Sequence, residues 1–285
     1  MSVSVVPIAD VDARVAAEFL HAELNPGVTA DAWLRLLQPP WADSGPNRGW
    51  MLKHDDRVVG VYAAVYSTRQ AGDGDVPVCN LAAFCVREEH RMHSVRLIRA
   101  LLKQREFVFT DFSPSGNVVG MNERLGFRRL DTATRLVINP PSLPVRDVRV
   151  TDDPAALAAV LRGRDAEIHR DHRDAAAARH LLIQRGEDYA YLVFRAHTMK
   201  RLRLFALPLY AGGSRELLSA QWRAVRGHLL LRHGLPFTLA ERRLLGFARG
   251  IGRDLREPRT RMIRGEALPD VEVDYLYSEL ALVGW

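Results

Sequence analysis

The sequence is poor in cysteine, and that scarcity limits the kind of protein it can encode. Only Cys79 and Cys85 occur in 285 residues. They fall on one predicted strand, about 20 Å apart, so they cannot pair with each other, and their spacing matches no zinc motif. So few cysteines are typical of a reducing compartment, and we expect a cytoplasmic protein. We expect Cys85 to be a small buried residue rather than a nucleophile.

Targeting signals, long apolar runs and two common catalytic motifs are also missing. Asp10, Asp12 and Glu18 interrupt the apolar residues of the N-terminus, which argues against a signal peptide. No stretch approaches the roughly 20 apolar residues that cross a bilayer. The sequence contains neither a Gly-x-Ser-x-Gly elbow nor a Walker pattern. We therefore expect no membrane association and neither of those two chemistries.

The chain does have a basic balance and enough apolar residues for a core. Its net charge is +6, and hydrophobic residues make up 47% of it. A basic protein favours anionic ligands, such as the phosphates of a cofactor or a nucleic acid. Because the charge is scattered and no nucleic-acid motif occurs, we expect no specific binding of DNA or RNA.

The stretch 80–102 combines an apolar run, a basic turn and an amphipathic helix. Residues 81–86 predict a short buried strand, and the apolar residues after the turn repeat at intervals of three and four, as on one helix face. A helix start leaves N–H groups unpaired and carries partial positive charge, so it can receive a phosphate. Arg91, His93 and Arg96 add charge at this end. The alternative is an ordinary connection with solvated arginines.

A second strand and helix follow directly. Residues 107–112 predict the strand, Ser113 is expected as the helix N-cap, and Pro114 as its first residue. Gly126 is a typical helix stop. Asn122 falls on the apolar face of this helix, which is an unusual place for a polar side chain.

The predicted elements follow the order strand, basic turn, helix, strand, helix and Gly-Phe. This order resembles that of the GNAT superfamily of acyl-CoA N-acyltransferases. The family's turn reads Arg-x-x-Gly-x-Gly/Ala after a strand that ends in Val. Here Val86 precedes Arg91-Met92-His93-Ser94-Val95-Arg96, so Ser94 and Arg96 stand where glycines are expected. Glu123-Arg124-Leu125-Gly126-Phe127 matches the usual end of the later helix. The resemblance covers roughly residues 45–138. It implies an α/β (α+β) fold in which helices flank a mixed central sheet.

The resemblance also implies a donor, an acceptor and a cofactor site. The donor would be acetyl-CoA or another acyl-CoA, and the acceptor an amine of a small molecule. The strand would bind the pantetheine arm through its backbone, and the turn would hold the pyrophosphate. Arg96 would either crowd the phosphates or pair with one of them. The implied cofactor-binding residues are Ala83, Phe84, Cys85, Val86, Arg91, Met92, His93, Ser94, Val95 and Arg96.

The family's catalytic residues are only partly present. Many members carry a carboxylate base on the central strand, where residues 80–83 are Asn-Leu-Ala-Ala. The family's usual tyrosine acid is replaced by Asn122, which can donate a hydrogen bond to a thiolate but holds no titratable proton. Asp111, at the end of its strand, is the candidate base, with a capping or turn role as the alternative. His21 and His93 are weaker candidates.

The chain divides at a proline-rich stretch. We expect a GNAT-like acyl-CoA-binding domain at 1–139, a linker at 140–144 and a second, degenerate GNAT-like domain at 145–285. The second half repeats the order strand, strand, turn, helix, strand, helix, strand, which predicts a duplicated architecture. It lacks the Arg-x-x-Gly-x-Gly turn.

Three histidines lie on a polar segment, 165–185, that we predict to be helical. His169 and His172 are three residues apart, a spacing that can bind a metal, and His180 follows them. A solvated, charged helix face explains the same pattern, and we expect no metal there.

Two other function classes stay open. One is a catalytically weak GNAT-like protein that binds a ligand or partner, and the other is acyl transfer from an acyl carrier protein, whose acidic surface would suit a basic enzyme. Trp33, Trp41 and Trp50 fall where the family lines its acceptor side, although packing in the core explains them equally.

Overall fold

The computed structural model describes residues 2–41, 45–72, 74–143, 145–199 and 202–284. The chain forms two units, each with its own sheet. The first unit comprises Met1–Leu130, Thr260–Glu272 and Tyr277–Trp285, and the second comprises Asp131–Arg259 and Val273–Leu276. Among the described residues, no helix has the length and apolar character needed to cross a membrane.

The helices and strands follow one another in three groups along the chain. The first group is β1 (Val3–Pro7), α1 (Ala13–Glu23), α2 (Ala30–Leu37), β2 (Gly49–His54), β3 (Arg57–Ala71), β4 (Gly74–Val86), α3 (Ser94–Leu102), β5 (Val108–Asp111), α4 (Gly116–Arg124) and β6 (Arg128–Arg129). The second group is β7 (Thr134–Ile138), β8 (Arg149–Thr151), α5 (Pro154–Val160), α6 (Gly163–His172), β9 (Arg179–Arg185), β10 (Asp188–Met199), β11 (Leu202–Gly213), α7 (Arg215–Ala220), α8 (Trp222–His233), β12 (Phe237–Glu241), α9 (Arg242–Leu245) and β13 (Gly252–Asp254). The third group is β14 (Met262–Arg264) and α10 (Glu279–Leu282).

Each unit contains a mixed sheet of seven strands. The first sheet has the order β1-β2-β3-β4-β5-β14-β6, and the second has the order β8-β9-β10-β11-β12-β7-β13. In each sheet one neighbouring pair is parallel, β4 with β5 and β11 with β12, and the other pairs are antiparallel. Mixed sheets with flanking helices, present twice, confirm the expected fold class.

The two sheets have the same strand order when the strands are counted from β1 in the first and from β8 in the second. In each sheet the sixth strand comes from a part of the chain that is distant in sequence from the strands it pairs with. β7 directly follows the first sheet in sequence, yet it pairs with β12 and β13. β14 follows the second sheet in sequence, yet it pairs with β5 and β6. The division into units therefore differs from the expected 1–139, 140–144 and 145–285. The prolines lie after β7, inside the second unit, and Pro144 lies outside the described residues.

Two helix ends lie where capping and stop residues occur in the sequence, and one helix start differs from the prediction. The Thr29 hydroxyl accepts a hydrogen bond from the Ala32 N–H at 3.2 Å and caps α2. Gly126 adopts φ +86° after α4, as expected of a helix stop. The start of α4 differs from the prediction, because Ser115 rather than Ser113 is its N-cap residue.

The segment 165–185 is not one helix. α6 ends at His172, and β9 begins at Arg179. His172 is buried on α6, with its Nδ1 3.0 Å from the Ile168 carbonyl oxygen, and His180 lies on β9 with its Nδ1 2.6 Å from the Tyr191 hydroxyl. The interpretation as a solvated helix face was therefore wrong, because these rings fill polar positions inside the second unit.

Gly49→Ala tests the packing of β2 against β3. Gly49 has φ +108°, and a Cβ atom there would lie 2.1 Å from the Tyr62 carbonyl oxygen. Because both the backbone angle and the contact oppose a side chain, we expect a loss of about 3 kcal/mol or more in unfolding free energy, measured by urea denaturation.

Gly72→Ala is the matched control. Gly72 also has positive φ, +54°, but a Cβ atom there meets nothing within 4 Å. Gly72→Ala should lower the unfolding free energy by only about 1 kcal/mol, the cost of a left-handed backbone conformation for a residue with a side chain. Equal losses in the two variants would show that the contact with Tyr62 does not matter.

Candidate active site

A gap opens in the first sheet where β4 and β5 stop pairing. The two strands are in parallel register from Val78 to Asn80 on β4 and from Val108 to Thr110 on β5. At the last step, the Thr110 hydroxyl donates to the Asn80 side-chain oxygen at 3.0 Å. Beyond it, β4 pairs only with β3 among the described residues. The free edge of β4 therefore presents backbone N–H and C=O groups that need a partner.

A bulge increases this separation. Ala63 pairs with Ala83, and the next residue of β3, Ala64, pairs with Leu81, so Ala82 is the extra residue on β4. Bulges bend a strand and raise its twist. The bulge lies two residues after Asn80 and turns the rest of β4 away from β5.

The gap leads into a cleft of about 390 Å³, within the size range of small-molecule sites. Trp33, Tyr62 and Phe84 supply much of its apolar lining, while Asp111 and Ser113 line it at the end of β5. An extended ligand with an apolar arm and amide groups would fit this combination of apolar walls and a free strand edge.

The expected cofactor residues lie in one continuous path from this strand edge to α3. Ala83 and Phe84 line the cleft, and Cys85 and Val86 complete β4. Residues 88–93 form a 3-10 turn, and Ser94 opens α3, followed by Val95 and Arg96. Burial raises the pKa of the half-buried Cys85 thiol, which favours its inert, protonated form.

The arginines of this turn already have partners. Arg91 is largely exposed and pairs with Glu88 at 2.7 Å, and Arg87 pairs with Glu23 at 2.9 Å. Arg96 donates to the Val3 carbonyl oxygen at 2.8 Å, which directs its guanidinium toward β1. A phosphate at this turn would depend chiefly on backbone N–H groups and would compete with Glu88 for Arg91.

Asp111 is a buried carboxyl at the head of the cleft. Its Oδ1 accepts from the Ser113 N–H at 3.3 Å, and its Oδ2 accepts from the Asn122 side-chain amide at 2.9 Å. Burial, reinforced by the charge of Glu279, raises the pKa of Asp111 to about 7, against the opposing effects of those hydrogen bonds and of Arg261. A carboxyl that titrates near neutrality in a cleft is suited to move protons.

Glu279 is a second buried carboxyl, and it comes from the C-terminal helix α10. Its Oε2 accepts from the Asn80 amide at 2.6 Å, and its Oε1 accepts from the Ser113 hydroxyl at 2.6 Å. Burial raises the pKa of Glu279, and the two hydrogen bonds act in the opposite direction. The sequence did not predict a part for Glu279 in the site. The only available signal was Asn80, a polar residue in a strand that is otherwise apolar.

Asn122 lies next to Asp111, and its expected hydrogen bond to the thiolate stays a prediction. It is fully buried on α4, and its amide donates to Asp111. It therefore touches the candidate base with one of the two N–H donors of its amide group. The other expected candidates, His21 and His93, do not line the cleft described here.

The corresponding gap in the second unit holds a segment of the chain itself. β11 and β12 are parallel at Phe205 and Ala206, and beyond that point the Tyr275 N–H donates to the Leu209 carbonyl oxygen at 2.9 Å. The Tyr275 hydroxyl donates to Glu241 at the end of β12 at 2.7 Å. Residues 273–276 thus occupy the place that remains open in the first unit.

Solved structures resemble this chain over most of its length. A GCN5-related N-acetyltransferase from Anabaena variabilis matches with a TM-score of 0.59 and 11% identity, over 92% of this chain and 72% of that one. A GCN5-related N-acetyltransferase from Kribbella flavida matches with a TM-score of 0.59 and 14% identity, over 92% and 70%. No protein-family model and no curated protein sequence matches. The likeness establishes the GCN5-related N-acetyltransferase fold and confirms the resemblance seen in the sequence.

Asp111→Asn tests the raised pKa without a substrate. The folded pKa of about 7 lies above the ordinary 3.8, so this group's contribution to stability is full below about pH 4 and is lost as pH rises through about 7. Between those two pH values, the unfolding free energy of the wild type, measured by urea denaturation, should fall by up to about 4 kcal/mol more than that of the variant.

Asp31→Asn is the control for this measurement. Asp31 is exposed, and Arg14 lowers its pKa, so that variant should keep the wild-type loss of stability with rising pH. A wild-type profile in Asp111→Asn would contradict the assignment of the raised pKa to Asp111.

Proposed function

We propose that this chain transfers an acyl group from an acyl-CoA to an amine of a small-molecule acceptor, with Asp111 as the general base. The observation that carries the proposal is the cleft between β4 and β5. It joins an open strand edge to a buried carboxyl whose pKa is near 7.

The strand edge suits the arm of the donor. Pantetheine carries amide groups along an extended chain, and such a chain can pair with a free strand edge as an added strand does. The bulge at Ala82 gives this edge room, and the apolar walls exclude water from the thioester. The pyrophosphate would then reach the turn at 88–93 and the first residues of α3.

Asp111 can take the proton that the reaction releases. The amine nitrogen attacks the thioester carbonyl carbon, the new N–C bond forms, and the C–S bond breaks. The proton of the amine passes to the Asp111 carboxylate, and the departing thiolate takes a proton from solvent. A base with a pKa near 7 suits this work at neutral pH.

Glu279, Ser113 and Asn122 position this base. Ser113 contacts both carboxyls, through its N–H to Asp111 and its hydroxyl to Glu279. Asn122 holds the other oxygen of Asp111. Burial and, after it, the charge of Glu279 raise the pKa of Asp111, so the base is protonated more readily than an ordinary aspartate.

Tyr62 is a neutral donor in the same cleft. Burial and the charge of Asp111 raise its pKa well above the ordinary value, so it keeps its proton at every physiological pH. Its hydroxyl therefore suits a hydrogen bond to an oxygen or sulfur of the donor, but not proton transfer.

Calorimetric titration with acetyl-CoA, CoA and longer acyl-CoAs tests donor binding. We expect one site per chain, because residues 273–276 fill the equivalent gap of the second unit. Val118→Trp should weaken binding at least about tenfold, since Val118 lines the cleft and an indole would fill part of it.

Asn117→Trp is the matched control, one residue earlier on α4 and exposed outside the cleft lining. It should bind as the wild type does. If the wild type bound no acyl-CoA, the proposal would fail in favour of a carrier-protein donor or a protein that only binds ligands.

The pH dependence of turnover separates the base from its neighbour. Once an acceptor is found by following thiol release, Asp111→Asn should lower kcat by about a hundredfold or more at unchanged donor affinity. Glu279→Gln removes a nearby negative charge, which lowers the pKa of Asp111, so the acid limb of kcat should move to lower pH.

Glu123→Gln removes a carboxylate from the exposed face of α4, where it pairs with Arg129. It should leave the acid limb in place. If Glu279→Gln lowered kcat at every pH but left the acid limb at the same pH, Glu279 would support the fold and would not set the pKa of Asp111.

A further inference from the structure

A group of three metal-ligand side chains lies in the second unit, and none of them lines the cleft of the first. Asp152 follows β8, and His228 and His233 lie on α8. The Asp152 Oδ2 is 3.3 Å from the His233 Nε2 and 4.0 Å from the His228 Nε2. The three ligand atoms lie within 4.8 Å of one another, and no other group of this kind occurs among the described residues.

These distances approach those of a tetrahedral site. Ligand atoms about 2.0–2.1 Å from a zinc ion lie about 3.3 Å from one another. The pair Asp152–His233 already has that separation, and the pair Asp152–His228 would have to close by less than 1 Å. A rotation of the partly exposed Asp152 side chain would supply that movement, and the two histidine nitrogens, which lie within 4.8 Å of each other, would also have to approach.

The Nε2 atoms of the two imidazoles lack a hydrogen-bond partner within the described part of the chain. Both atoms, in His228 and His233, are buried. Only 8% of the His233 side chain is exposed, so little solvent can reach its ring nitrogen. An unsatisfied buried nitrogen costs free energy that a metal–nitrogen bond would recover.

Charges close to the two histidines act on a bound cation in both directions. Asp152 supplies a negative charge beside both rings, and neutral imidazole is the form that binds metals. The last turn of α8, with its partial negative charge, favours a cation, whereas Arg179 and Arg232 oppose one.

We propose that Asp152, His228 and His233 bind a divalent transition metal such as Zn²⁺, with water as the fourth ligand. The metal would tie the segment after β8 to the last turns of α8 and thereby stabilise the second unit. Two histidines and one carboxylate form an N/O ligand set that zinc accepts.

Metal titration of the full chain, without an affinity tag and after treatment with chelator, tests the site. Co²⁺ should give the visible absorption band of a four-coordinate centre, and Zn²⁺ should bleach it. Calorimetry with Zn²⁺ should give one site per chain. Saturating Zn²⁺ should raise the melting temperature by at least about 3 °C, because it binds only the folded state.

Two variants remove ligands, and a third is the control. His228→Gln/His233→Gln and Asp152→Asn should each weaken Zn²⁺ binding at least about tenfold. His54→Gln/His90→Gln removes another close histidine pair, whose ring nitrogens lie 3.0 Å apart in the first unit, and should leave binding unchanged.

Asp152 is half-exposed, so Asp152→Asn should fold even if the double histidine variant does not. Absence of the cobalt band and of zinc heat in the wild type would overturn the proposal. Wild-type affinity in a folded Asp152→Asn variant would overturn the assignment of these ligands.

Discussion

The separation of β4 from β5 beyond Asn80 and Thr110 is the constraint on which the candidate site depends. Three residues on each strand pair in parallel, and then the bulge at Ala82 turns β4 away. A free strand edge inside a protein is costly, because its backbone groups need partners. The fold can keep this edge open only if water or a ligand satisfies it.

A carboxyl group lies at the point where the strands separate. Asn80 donates to Glu279 and accepts from Thr110, so one side chain joins the last paired step of the sheet to α10. Asp111 is the next residue of β5 after Thr110, and it is buried beside this group. The hydrogen bonds of Asn80 with Glu279 and Thr110 therefore lie at the last paired step of the two strands and also form the surroundings of the candidate base. A substitution at Asn80 would affect both the stability of the sheet and the environment of Asp111.

Local patterns in the sequence predicted the central part of the first unit. The apolar run at 81–86, the turn and the amphipathic helix all form, and Asn122 is buried as its helical phase required. Glu279 could not be predicted in the same way, because it meets Asn80 across 199 residues. No periodicity or spacing reports such a contact. The bulge at Ala82 carries no glycine or proline signal either.

The exchanged strands escaped prediction for a related reason. β7 has five residues and β14 has three, and each pairs on both sides within its sheet. An apolar strand of this length has the same pattern whichever sheet it joins. Because β7 directly follows the first sheet in sequence, we expected it to belong to that sheet. It pairs instead with β12 and β13 of the second sheet. The proline-rich stretch was therefore a poor marker of where the units divide.

The two sheets show how one strand order can give an open site and a closed one. In both, a carboxyl ends the strand after the parallel step, Asp111 in the first and Glu241 in the second. Glu241 accepts from the Tyr275 hydroxyl and from Arg243 at 2.8 Å, and the backbone of Tyr275 satisfies Leu209 on the neighbouring strand. The Leu209 carbonyl and the Glu241 carboxylate of that gap therefore have partners within the chain. In the first unit the equivalent edge of β4 has no partner strand among the described residues, and the raised pKa of Asp111 lets that carboxyl exchange a proton near neutral pH.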